Sequence, residues 1–322
     1  MYYPYMRGKQ YELITVREAA KVMADAKFVP TIVPVRSQMR GLRKALEAVC
    51  EAKGKAVLIV NPEHGELAHD HKTIPSFLDR EFGNHDNVLF GVRLHSEVTA
   101  AEAICMCREA KGKSIALIHA GFKHANSLAV QLGGFNTIRV HMFMEDACGK
   151  LYQKKFWADD IKRILVRDGF EHRRNRDHPD SEFFSDLHIT YNEERVDGFG
   201  DFLIVGDEYS EGGGPAYAIA IHLTYVDLDR DGEMHVRHFL SDRQDTPADP
   251  GGKFAEALKK LIAFLDDEPS GQKVDNTSAI EEFRYLHERQ HYPGLGYVKK
   301  LSMKHHIETL AAYFKNNPSE NT

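Results

Sequence analysis

The amino-acid sequence predicts an α/β fold, a TIM-like (β/α)8 barrel with an extra antiparallel hairpin and C-terminal helices. Over the first two thirds of the chain, short apolar runs rich in β-branched residues alternate with segments of helical spacing. After about residue 180, strand-like runs follow one another directly, and the chain closes in helices. We therefore expect one barrel-like domain over residues 1–322, with a β-rich extension at 180–250 and C-terminal helices at 251–315.

The apolar runs are predicted barrel strands because they lack polar alternation, as strands buried on both faces do. Strand, helix and strand at this spacing pair in parallel through right-handed crossovers. An open, doubly wound sheet is the alternative arrangement. The predicted barrel strands cover residues 2–6, 29–35, 56–60, 88–94, 115–119, 137–143, 164–166 and 202–205.

The segments between these runs show the spacing of amphipathic helices. Leu42, Ala45, Leu46 and Val49 form one apolar stripe of this kind. In the last third, further strands are predicted at 186–191, 216–226 and 233–240, and the turn residues from Asp229 to Gly232 join the last two into an antiparallel hairpin. The closing helices are predicted at 254–265, 280–290 and 298–314.

Composition and charge exclude several classes of protein. The 322 residues carry 48 acidic and 42 basic side chains, a net charge of −6, which argues against a protein that coats DNA. No apolar run approaches the roughly 20 residues that cross a bilayer, and the first residues do not form a signal peptide, so we expect a cytoplasmic protein that does not bind membranes. The four cysteines lack a zinc spacing and are expected to be free thiols.

The chain lacks the common nucleotide-binding and hydrolase motifs. No GxGxxG, P-loop or GxSxG pattern occurs, which argues against Rossmann dehydrogenases, P-loop ATPases and serine hydrolases of that type. Two segments resemble metal loops: His64 to His71 holds three histidines in no zinc spacing, and Asp227 to Gly232 copies half of a calcium loop. We interpret them as a solvated loop and a hairpin turn, and predict no metal and no cofactor.

Candidate functional residues lie where strands of the predicted barrel end, because the βα loops of such a barrel converge at that end. Converging arginines suit phosphate or carboxylate, and a histidine oriented by a carboxylate can move protons near neutral pH. The alternative is a layer of internal salt bridges, for example between Arg139 and Asp168. The predicted anion-binding residues are Arg7, Arg36, Arg93 and Arg139, and the predicted catalytic residues are His119, His141, Asp168 and Glu208.

The main basic concentration lies at residues 162–178, from Lys162 to His178. Acidic residues are interleaved with the basic ones, which favours a solvated loop, and contact with a nucleic-acid backbone is the alternative.

The opening residues Tyr3 to Leu13 carry an aromatic-Pro strand, then Arg7-Gly-Lys9-Gln and an acidic residue entering the first helix. Together with the stretch Gly198 to Asp201 and the later strand ending at Tyr225, they resemble the bacterial and phage "beta family" proteins. The resemblance implies a barrel-like fold and a setting among phage-related or defence-related genes. It supplies no catalytic residues.

Two functions are predicted. In the first, the protein is a component of a phage-defence or mobile-element module, acting as a sensor or as the partner of an effector encoded by a neighbouring gene. In the second, it is a phosphodiester- or nucleotide-directed hydrolase with an arginine-rich site for a phosphate-containing ligand at the mouth of the barrel.

Overall fold

The computed structural model describes residues 1–68, 70–212, 214 and 216–317. The chain forms two compact units, one of Met1–Arg167 with Thr190–Asp201 and the other of Asp168–Ile189 with Phe202–Thr322. In chain order, the strands are β1 (Tyr5–Met6), β2 (Thr31–Ile32), β3 (Ala56–Ile59), β4 (Val88–His95), β5 (Ile115–Ala120), β6 (Ile138–Met144), β7 (Lys162–Val166), β8 (Ser181–Ser185), β9 (Gly198–Gly200), β10 (Ala220–Asp227) and β11 (Glu233–Leu240). The helices are α1 (Gln10–Asp25), α2 (Arg40–Glu51), α3 (Thr73–Phe82), α4 (Ala100–Glu109), α5 (Ala125–Leu132), α6 (Lys150–Gln153), α7 (Leu187–Thr190), α8 (Pro250–Asp266), α9 (Glu268–Gly271), α10 (Ser278–Glu288) and α11 (Leu295–Asn316).

Eight parallel strands form the barrel of the first unit. Strands β1 to β7 follow one another in the sheet, β9 pairs with β7, and helices fill the crossovers. A parallel bridge between Tyr2 and Phe199 joins the last strand to the start of the chain, and the amide of Tyr5 donates to the carbonyl of Asp201 at 2.9 Å. The barrel is therefore nearly closed, and the predicted α/β barrel is confirmed.

The predicted eighth barrel strand at 202–205 was wrong: these residues form a turn in which Leu203 has a φ of 52°, and β9 takes their place. The two glycines of β9 let the backbone of the first strand approach closely. A Cβ on Gly198 would lie 2.3 Å from the carbonyl oxygen of Met1, and one on Gly200 would lie 2.4 Å from that of Tyr3. The strand can therefore close the barrel because two of its three residues have no side chain. A search for apolar runs does not detect such a strand.

The two faces of the barrel sheet can be assigned from contacts across the lumen, the space enclosed by the strands. Thr31 Oγ1 of β2 lies 3.6 Å from Met142 Sδ of β6, although several strands separate β2 from β6 in the sheet. Met142 therefore faces the lumen, and because side chains alternate along a strand, its neighbours on β6 face the helices.

In the second unit, β10, β11 and β8 form an antiparallel sheet, and the predicted hairpin of β10 and β11 is confirmed. Helices α8, α10 and α11 correspond to the three predicted closing helices and cover a core that includes Leu223, Phe254, Leu261, Phe283 and Leu301. No helix within the described residues combines the length and the apolar character needed to cross a bilayer.

The predicted strand at 186–191 was wrong, because the strand lies earlier, at β8, and the helical turn α7 follows it. The hydroxyl of Ser185 accepts a hydrogen bond from the amide of Leu187 at 3.1 Å. This side-chain bond to the backbone two residues ahead turns the chain out of the strand.

Candidate functional site

Arg93 lies in the lumen near the carboxyl ends of the barrel strands. Its Nη2 is 3.1 Å from Glu63 Oε2, and its Nη1 donates to the hydroxyl of Tyr5 at 3.1 Å. Asn61 fixes the backbone beside it, since its amide donates to the carbonyl of Arg93 and accepts from the Arg93 N–H, both at 2.8 Å. Arg93 is thus part of an internal network at the mouth of the barrel, with 14% of its side chain exposed.

The other three predicted anion-binding arginines do not share that position. Arg139 is exposed at the start of β6, where its Nη1 donates to the carbonyl of Asn136 at 2.8 Å, and it faces the helix side. Arg36 is exposed and pairs with Glu66 at 2.9 Å. Hydrogen bonds from Ser37, and then from Arg36, lower the pKa of Glu66 to about 2. Arg7 is buried directly after β1.

His119 and His141 lie together, but on the helix side of the sheet. His119 Nε2 is 2.9 Å from His141 Nδ1, and His119 Nδ1 is 2.7 Å from the hydroxyl of Tyr152 in α6. The ring of Phe156 covers both imidazoles, with centroid distances of 4.4 and 5.2 Å. Burial lowers the pKa of His141 to about 4, and burial with the neighbouring His141 lowers that of His119 well below its usual value. Both rings are therefore neutral at pH 7 and sit in an aromatic layer under α6.

Asp168 and Glu208 belong to the second unit, whereas the two histidines belong to the first. Asp168 accepts hydrogen bonds from the amides of Asp207 at 2.7 Å and Phe170 at 3.0 Å. Glu208 is exposed and lies 2.6 Å from His172 Nδ1. The roles assigned to these residues from the sequence stay predictions.

A groove of about 410 Å³ lies beside α1 and α2, after the carboxyl ends of β1 and β2. Apolar side chains line part of it, among them Leu13, Ile14 and Leu42. Of the residues that the structure describes, the polar lining has two glutamines and four cations and no Asp, Glu or His. These residues are Gln10, Gln38, Arg17, Arg36, Arg40 and Lys44.

Two features make this groove electropositive. No carboxylate pairs with Arg17, Arg40 or Lys44 within the described part of the chain. Helix α2 also begins at the groove, and no side chain caps its first turn, whose N–H groups carry partial positive charge. Of the four predicted anion-binding arginines, Arg36 lines this groove.

In the second unit, His178, His222 and His238 bring one ring nitrogen each within 4.8 Å of one another. Burial, the largest cause in each case, lowers the pKa of all three rings, to about 3 for His238. The sequence pattern did not predict this cluster, although the predicted hairpin implied part of it. His222 and His238 lie at nearly equal distances on either side of the turn, and the strands pair them directly.

The other sequence segments considered for ligands have protein partners. The ammonium of Lys273 lies 2.9 Å from both Asp227 and Asp229, so it occupies the place of a cation in the calcium-like turn. In the basic stretch at 162–178, Arg163 pairs with Asp197, Arg167 with Glu145 and Arg173 with Glu182. Of the loop from His64 to His71, His69 lies outside the described residues.

No protein-family model matches the chain, and no curated protein matches it significantly. Among solved structures, the chain is similar to the enoyl reductase domain of MlnA from the macrolactin biosynthesis cluster of Bacillus amyloliquefaciens. The two are 9% identical with a TM-score of 0.38, and the match covers 98% of this chain and 81% of that one. A similarity at this level does not bear on function.

Proposed function

We propose that the barrel unit binds a phosphorylated ligand of nucleotide size in the groove beside α1 and α2. The observation that supports this function is the lining, in which Arg17, Arg40 and Lys44 have no carboxylate partner among the described residues and lie beside apolar side chains, while Arg36 pairs with Glu66. Guanidinium groups donate paired hydrogen bonds to phosphate oxygens, and the apolar side chains offer a surface for a base or a sugar. A volume of about 410 Å³ lies within the range of small-molecule sites.

We favour recognition over hydrolysis. Among the residues that the structure describes, the groove lining has no Asp, Glu or His to act as a general acid or base. The neutral pair of His119 and His141 lies in the layer beneath α6. The hydrolase alternative stays a prediction. The resemblance to the beta family supports a role for this recognition in a phage-defence or mobile-element module, in which the protein is a sensor or the partner of an effector.

The test is calorimetric titration of the full chain with ATP, and with inorganic pyrophosphate to separate phosphate from base recognition. We expect Arg17→Ala with Arg40→Ala to weaken ATP binding by at least tenfold, and binding to fall as salt rises. The control double variant, Arg43→Ala with Arg80→Ala, removes the same charge from arginines that pair with Glu81 outside the groove. Equal losses in the two double variants would mean that net charge, and not the groove, attracts the nucleotide.

The defence role has its own test. Cells that carry the gene with its neighbours are infected with phage, and plating efficiency is compared for the wild type and the two double variants. Protection that is lost only with the groove variant supports the sensor role. Absence of protection by the wild type argues against that role and leaves ligand binding to be judged by calorimetry.

A further inference from the structure

We propose that His178, His222 and His238 bind one divalent transition-metal cation in the second unit, with Glu182 as the residue that orients the ligands. This inference does not depend on the groove, which belongs to the first unit. Zinc is the cation that three imidazoles favour in a tetrahedral site, because such sites take three protein ligands and keep a fourth position for water or another molecule.

Strand pairing brings the three histidines together. His222 of β10 is the direct partner of His238 of β11. The amide of His238 donates to the carbonyl of Asp180 at 2.9 Å, which places the segment that carries His178 beside it. The three side chains therefore come from three positions of one antiparallel sheet and its entry, a rigid arrangement suited to holding ligands in place.

The distances between ring nitrogens are close to those of a metal site. His222 Nδ1 and His238 Nδ1 are 2.7 Å apart, and the set of three lies within 4.8 Å. Tetrahedral zinc with bonds of about 2.0–2.1 Å places its ligand nitrogens about 3.3 Å apart. Small side-chain rotations convert one spacing into the other, and the cation takes the place of the proton that joins His222 to His238.

Glu182 supplies the carboxylate that commonly accompanies metal-bound histidine. Its Oε1 lies 3.0 Å from His238 Nε2 and 3.5 Å from His178 Nδ1. A bond from the His238 Nε2–H to this carboxylate leaves the lone pair on Nδ1, the atom that faces His222. Arg173 holds the other oxygen of Glu182 at 2.9 Å and so fixes the carboxylate.

An aromatic ring shields the cluster. Phe170 lies against all three imidazoles, with centroid distances of 5.6, 5.0 and 6.3 Å to His178, His222 and His238. The side chains of His178 and His238 are 1% and 0% exposed. Such an apolar shell limits competition from water for the ligands.

The experiment uses the full chain after treatment with a chelator and dialysis. Calorimetric titration with Zn²⁺ should give one ion per chain, and addition of Co²⁺ should give the visible absorption of a tetrahedral site. We expect His222→Gln to weaken Zn²⁺ binding at least 100-fold. The matched control is His235→Gln, which changes another buried histidine of β11 that contacts Glu233 instead of the cluster, and it should bind Zn²⁺ as the wild type does.

A second variant covers the case in which His222→Gln does not fold, as judged by circular dichroism. Glu182→Gln keeps the size of the side chain and removes its charge, and it should weaken Zn²⁺ binding 10- to 100-fold, the typical effect of losing a carboxylate behind a histidine ligand. The proposal is overturned if the wild type binds no Zn²⁺. It is equally overturned if the cluster variants that fold bind as tightly as His235→Gln, since the metal would then bind at other histidines.

Discussion

His119 Nε2 lies 2.9 Å from His141 Nδ1, and this contact is on the helix side of the barrel sheet, opposite the lumen that Arg93 and Tyr5 share. Two neutral imidazoles on neighbouring strands thus lie buried between the sheet and the segment that carries Phe156, in a layer that apolar side chains usually fill. Their burial makes the stability of the barrel unit depend on pH.

We expect acid to destabilise the barrel unit through this pair. The pKa of His141 is about 4 when folded against about 6.5 when unfolded, so the unfolded chain binds the proton first as the pH falls. The stabilisation is fully present above pH 6.5 and is lost as the pH falls towards 4, by roughly 2 kcal/mol for His141 at about pH 4.5. Fluorescence of Trp157, the one tryptophan, follows urea unfolding of this unit because the guanidinium of Arg163 in β7 lies 5.2 Å from the centre of its ring when the unit is folded.

The control for the pH effect is the double variant His119→Asn with His141→Asn, which keeps hydrogen-bonding groups but cannot titrate. It should be less stable at pH 7, yet lose less stability between pH 7 and about pH 4.5. Equal losses in the variant and the wild type would place the acid sensitivity in other groups.

Closure of the barrel depends on Gly200. A Cβ at this position would lie 2.4 Å from the carbonyl oxygen of Tyr3, which is backbone and cannot rotate away. We expect Gly200→Ala to lower the free energy of unfolding by about 2 kcal/mol or more, measured by Trp157 fluorescence in urea. Gly134→Ala is the control, because a Cβ there meets no atom within 4 Å. If Gly200→Ala left the free energy of unfolding unchanged, the start of the chain and β9 would not be joined as described.

The glycines of β9 explain why seven of the eight barrel strands were predictable from the sequence and the eighth was not. Barrel strands such as β3 and β5 were predictable because burial on both faces requires continuous apolar runs. Strand β9 has one apolar side chain between two glycines, so its sequence does not look like a buried strand. The eighth strand was therefore predicted at residues 202–205, which are more apolar. A close approach of two backbones leaves no hydrophobic pattern.

The candidate sites were predictable only in part. Arg93 and Arg139 could be singled out because they are polar residues in apolar strands. The sequence could not show that Arg93 points into the lumen and Arg139 towards the helices, because that assignment depends on the long-range contact between Thr31 and Met142. The predicted hairpin implied that His222 and His238 are neighbours. His178 could not be added, because β8 joins β11 over a long sequence separation and with a register shift beside His235.

Asn61 ties the ends of β3 and β4 together at the mouth of the barrel. Its buried amide makes two hydrogen bonds of 2.8 Å with the backbone of Arg93. We expect Asn61→Ala to cost on the order of 2 kcal/mol, since it leaves a backbone donor and a backbone acceptor unpaired. The control Asn87→Ala removes a single bond, from Nδ2 to the carbonyl of Gly54. In urea unfolding, Asn61→Ala should be the more destabilising change, and the reverse order would contradict this role.

Thr277 joins α10 to α11 through His305. His305 Nε2 donates to the carbonyl of Thr224 at 2.8 Å, so its Nδ1 accepts from the hydroxyl of Thr277, also at 2.8 Å. The same hydroxyl oxygen accepts from the amide of Ile280 and caps α10.

We therefore expect Thr277→Val, which keeps the shape of the side chain, to destabilise the second unit by about 2 kcal/mol through loss of the cap and of a buried hydrogen bond. Thr277→Ser retains the hydroxyl and should cost less than about 1 kcal/mol. Hydrogen exchange measured by mass spectrometry on a peptide covering residues 277–288 reports this region directly. Exchange should be faster in Thr277→Val than in Thr277→Ser, because the first turn of α10 and its attachment to His305 open together. Equal exchange in the two variants would contradict the role of the hydroxyl, and faster exchange in Thr277→Ser would assign the attachment of this helix to the methyl group instead.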